Sequence, residues 1–93
     1  MKAENIHCTL ISVDSETGVM TTISEACFKD GDVRIMDWSR NAKEKMIRLH
    51  RENPKMDYYT HERITDENGK LINHGIVTQY LHDGYYKIVA VCL

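Results

Sequence analysis

The sequence predicts a single α+β domain in which antiparallel β-hairpins, about six to seven strands in all, flank one central amphipathic helix. Three observations lead there. Glycine turn signals recur at Glu16-Thr17-Gly18, Asp30-Gly31, Asn68-Gly69 and Asp83-Gly84. One segment has helical periodicity and stops at Pro54. The chain has 93 residues and 42% hydrophobic content, enough for one core and too little for two.

Asp-Gly and Asn-Gly pairs tolerate the positive φ that a two-residue type I′ turn needs at both positions, so three of the four signals predict hairpins. The runs between them have the β-branched and aromatic content of strands: residues 5–13, 19–29 with a bend near Ser24-Glu25, 32–36, 56–64, 71–81 and 85–92. Between the two strand groups a helix is predicted over 38–53, with Asp37 or Ser39 as N-cap and Pro54 as its stop. At about 100° per residue, Trp38, Ala42, Met46 and Leu49 share one arc, the stripe that faces the core.

If Asn68-Gly69 and Asp83-Gly84 are two-residue loops, the register of the last three strands follows, with Ile64 opposite Asn73 and Leu81 opposite Tyr86. One face then carries Met56, Tyr58, Ile64, Val77, Leu81, Tyr86, Ile88, Ala90 and Cys92. The other carries Tyr59, Ile72, Ile76, Tyr80, Val89, Val91 and Leu93, interspersed with His61, Arg63, His74, Thr78 and Lys87. Both are apolar enough to require cover, and one helix covers one of them. The N-terminal hairpins, a second subunit or a ligand is expected on the other, which makes a homo-oligomer the expectation for so short a chain.

Net charge is −2, so the overall field selects no class of partner. Its distribution is uneven: −4 over residues 1–37, +4 over 38–56 and −2 over 57–93. The positive segment is the helix, where Arg40, Arg48 and Arg51 lie opposite the apolar stripe and suit an acidic partner or a polyanion. Glu44 and Glu52 are spaced to pair with these arginines along the helix and to neutralise much of that face.

A second candidate is the cluster His61, Arg63, His74 and Lys87, bordered by Tyr59 and Tyr80. Arginine binds anions bidentately and tyrosine rings stack on bases, so the cluster suits a nucleotide or other small anion. Ordinary cross-strand pairing accounts for the same residues. All five tyrosines fall between residues 58 and 86, and Tyr58, Tyr85 and Tyr86 add to the case for a partner surface on the C-terminal strands.

Cys8, Cys27 and Cys92 form no CxxC pair, and their odd number predicts reduced thiols in the cytoplasm. No secretory signal is visible, and no apolar run approaches the roughly 20 residues of a membrane span. The histidines and cysteines lack metal-ligand spacing, and nucleotide-binding and hydrolase motifs are missing, so no cofactor or catalytic residue is expected. The sequence therefore points to a small non-catalytic protein-interaction module of inhibitor or adaptor type. A binder of a nucleotide, nucleic acid or small anion is the alternative, ahead of a small enzyme.

Overall fold

The computed structural model describes residues 5–84 and the strand backbone of 86–88. The elements run β1 (Asn5–Asp14), β2 (Met20–Lys29), α1 (Arg34–Glu52), β3 (Met56–Thr65), β4 (Leu71–Tyr80) and β5 (Tyr86–Ile88). They form one antiparallel sheet of order β2-β1-β3-β4-β5 with the helix on one face. The α+β class and the single central helix agree with the sequence. The strand number does not: among the described residues four ten-residue strands and a three-residue fifth stand where six to seven were expected, and residues 89–92 of the last expected strand lie outside them.

The missing strand is the one expected at 32–36, which is instead the first turn of α1. Its start is local chemistry. Gly31, at φ 83°, turns the chain, and the Lys29 carbonyl accepts the Asp32 N–H at 3.1 Å. The Asp32 carboxylate then accepts the Arg34 backbone N–H at 2.9 Å and holds its guanidinium at 2.7 Å. Thus Asp30-Gly31 feeds a helix and makes no hairpin, and neither Asp37 nor Ser39 is the N-cap. The cap position is Val33, which has no side-chain hydrogen bond. At the other end the Asn53 N–H donates to the Leu49 carbonyl at 2.9 Å immediately before Pro54, one residue from the expected stop.

Topology explains why the helix lies where it does. β2 and β3 both pair with β1 from opposite sides, so they run parallel to each other and their connection must travel the length of the sheet. Nineteen helical residues cover about 28 Å, and a ten-residue strand about 33 Å, so α1 is matched to that task. It buries Ala42 and Met46 against Leu10 and Tyr58, with Ile23, Trp38, Leu49, Met56 and Tyr80 packed around them. The predicted stripe of Trp38, Ala42, Met46 and Leu49 is the helix's share of this core.

The turns differ from the two-residue form. In the β3–β4 turn the Gly69 N–H donates to the Asp66 carbonyl, and Gly69 alone takes positive φ, at 78°, which is a type I turn closed by a glycine bulge. Buried Asp66 secures it by accepting the Asn68 and Lys70 N–H groups, each at 2.9 Å. A register shift between Ile64 and Thr65 absorbs the extra residue, so Ile64 still faces Asn73. The last hairpin has no such compensation. Tyr80, not Leu81, faces Tyr86, because the chain between them is one residue longer than a two-residue turn requires.

A second irregularity, between Thr60 and His61, places Val77 as the extra residue of β4. From there on the faces of β4 are exchanged relative to the expectation. Thr78 and Tyr80 pair with Thr60 and Tyr58 and so lie on the helix side, where Thr78 is 1% exposed. In β2 the register shift falls at Ile23, beside the expected bend at Ser24-Glu25.

Candidate functional site

The N-terminal hairpin extends the sheet and does not fold over it. No described residue therefore forms a layer on the face away from α1. The molecule is 19 Å across its thinnest direction, the depth of one helix on one sheet. Internal sandwich packing, one of the three covers anticipated for this face, is absent among the described residues.

Cross-strand pairing assembles that face in rows. Cys27, His7, Arg63 and His74 align across β2, β1, β3 and β4. The next row is Glu25, Thr9, His61 and Ile76, and a third contains Ile11, Tyr59 and Gln79. Ile11, Val13, Tyr59, His61 and Ile76 are half-buried, and Arg63 and His74 are exposed. The apolar end of the face thus lies beside a patch of one arginine and three histidines.

Within the patch, His61 Nε2 lies 3.4 Å from His74 Nδ1, with ring centroids 5.6 Å apart. One nitrogen of that pair carries the proton and the other accepts it. His7 Nε2 lies 3.6 Å from Glu25 Oε2. The His61 imidazole is held below its ordinary pKa of 6.5, first by burial and then by His74, His7 and Arg63. Burial, followed by the Asp57 carboxylate, raises the Tyr59 phenol. Asp57 itself anchors the next loop: it accepts the His82 backbone N–H at 2.6 Å and the His82 ring Nδ1–H at 2.9 Å.

Sequence reasoning brought His61, Arg63, His74 and Tyr59 to this face, and the structure places them together. Lys87 pairs with Gln79 in the same row as Tyr59 by register. Tyr80 does not join them, since it lies across the sheet against His50, with ring centroids at 4.9 Å. Tyr58 is a core residue at 2% exposure and offers no interaction surface. Tyr86 lies in β5, and Tyr85 falls outside the described residues. His7 was missed, because only the pairing of β1 with β3, which no turn signal encodes, brings it beside Arg63.

Arg40, Arg48 and Arg51 are exposed on the helix, on the opposite side of the molecule from the histidine patch. Arg40 pairs with Asp37 at 2.8 Å, not with Glu44. On the helix side of the sheet, Cys8 is fully buried and its thiol is pushed up to about 12 by burial, then by Glu62 and Cys27. Such a thiol is no nucleophile at neutral pH.

Compared with known proteins, the chain matches no family model, no curated protein and no solved structure. Among the described residues no group of three or more His, Cys, Asp or Glu is arranged to hold a metal ion. No described helix is long and apolar enough to cross a membrane.

Proposed function

We propose that this chain is a protein-interaction module that uses the helix-free face of its sheet, and that its partner presents an acidic surface. The observation that carries this reading is the juxtaposition, on a face no described residue covers, of half-buried Ile11, Val13, Tyr59 and Ile76 with the His7, Arg63, His74 row. Apolar side chains supply contact area, and the basic row supplies charge selection.

Three side chains on adjacent strands spread over about 10 Å, two inter-strand spacings. That is wider than the fork one arginine offers to one carboxylate or phosphate, and it matches an extended acidic surface better than a single small anion. A small-anion or nucleotide site is the second reading, favoured by the 3.4 Å approach of His61 to His74 beside Arg63. The role is that of an inhibitor or adaptor, with no catalytic step assigned to the chain.

Selection of a displayed random peptide library against the protein tests the first reading. Acidic peptides with aromatic residues should be enriched, and their affinity should fall about ten-fold or more in Tyr59→Ala and Arg63→Ala. Peptides that bind both variants as tightly as the parent protein would refute it. Titration with adenosine triphosphate and with an oligonucleotide, at low and moderate salt, tests the second reading; no binding at either salt removes it.

A further inference from the structure

β2 is an edge strand of ten residues, and no described strand pairs with its outer side. Edges of this length are usually blunted by proline, by several charges or by extreme shortness. Among the described residues the opposite edge, β5, spans three. β2 has no proline and only two charged residues, Glu25 and Lys29. Its bulge at Ile23 leaves residues 24–29 as an unbroken run paired with β1 on one side.

The two charges are placed symmetrically about Cys27, which is exposed. Only one antiparallel self-register sets Glu25 opposite Lys29 of a second copy, and by symmetry it does so twice. The same register sets Ala26 opposite Phe28 and Cys27 opposite Cys27. Glu25, Cys27 and Lys29 alternate with Ala26 and Phe28, so each set shares a face. Opposite charges directly across an antiparallel pair attract, whereas a register centred on Glu25 would set two carboxylates against each other.

We propose that the outer edge of β2 pairs with the same edge of a second copy, about a two-fold axis through Cys27, joining two sheets into one. The axis is perpendicular to the sheet, so both helix-free faces end on the same side of the joined sheet. The histidine and arginine rows of the two copies then form one bivalent surface. This inference stands on the edge and its charges. It survives or fails independently of what the open face binds.

Light scattering at tens of micromolar should give twice the chain mass. Glu25→Lys should raise the dissociation constant about ten-fold or more, and adding Lys29→Glu should restore it, since the double variant exchanges the signs and keeps the pairs. The register is tested separately with diamide. Opposed residues of an antiparallel pair have Cα atoms about 4.5 to 5.5 Å apart, within the range a disulfide spans. Two Cys27 thiols should lose two protons and two electrons to the reagent and form one S–S bond, while diamide is reduced to its hydrazine.

A covalent dimer on a non-reducing gel that is lost in Cys27→Ser is the expected result. Its persistence in Cys92→Ser assigns both ends of the bond to Cys27, since Cys8 is buried. A monomeric parent protein overturns the proposal, as does a dimer that yields no Cys27 cross-link.

Discussion

At His61, burial and three cationic or ionisable neighbours act in the same direction, and each disfavours the imidazolium. The folded pKa therefore lies below the unfolded value, and the unfolded chain binds the extra proton as pH falls through about 6.5. Stability contributed by neutral His61 is present above that pH and declines below it. His61→Gln should flatten the drop in melting temperature between pH 7 and pH 5, which a thermal scan at several pH values checks. An acidic partner reverses the local field at His61, so binding on this face should take up protons there and tighten on acidification. Calorimetry in two buffers of different ionisation enthalpy reads that uptake directly.

Among single side chains, Leu10 and Met46 are fully buried where the sheet meets the helix. Leu10→Ala should cost about 2–5 kcal/mol through lost transfer energy and the cavity left behind. Ile72, 37% exposed, should tolerate the same change at well under half that cost. Urea midpoints at constant slope separate the two.

For the elements, what a short window of sequence specifies was legible and what depends on distant pairing was not. The helix stripe could be read because it repeats within one turn of its own backbone, and the helix stop because Pro54 allows little else. The helix start was missed because Val33, Ile35 and Met36 look like a strand, and because an Asp-Gly pair serves a helix entry as readily as a hairpin. Only the Asp32 carboxylate, which accepts the Arg34 N–H, decides between them. The bulge falls at Val77, two residues past Gly75, so the one glycine in β4 hints at an irregularity without fixing its place, yet the bulge moves Thr78 and Tyr80 to the other face.

The turns make a prediction of their own. Gly69 sits at φ 78° with open space where a Cβ would stand, so Gly69→Ala meets no neighbour and its cost is purely conformational. A loss of about 1–2 kcal/mol is expected from the left-handed backbone alone. Denaturant unfolding of this variant beside one at an exposed strand position would measure it.

On the scale of the whole molecule, the decisive feature is where β1 pairs. Joining β3 edge to edge, it makes a single sheet and leaves one face without cover among the described residues, whereas hairpins folded over the sheet would have closed it. No local signal distinguishes these arrangements, since both satisfy the same turns and the same alternation. The apolar character of the second face was nonetheless visible in the sequence through Tyr59, Ile72 and Ile76, as was the cluster of His61, Arg63 and His74. His7 and Ile11 joined them only through the long-range ladder.

The central claim is that this face, and not the basic helix, meets the partner. Its most direct test is an NMR titration of the labelled protein with an acidic peptide from the selection, following backbone and methyl signals. Perturbations should concentrate at Thr9, Ile11, Tyr59, His61 and Ile76. Shifts confined to Arg40, Arg48 and Arg51 on α1, with the sheet face unmoved, would contradict it.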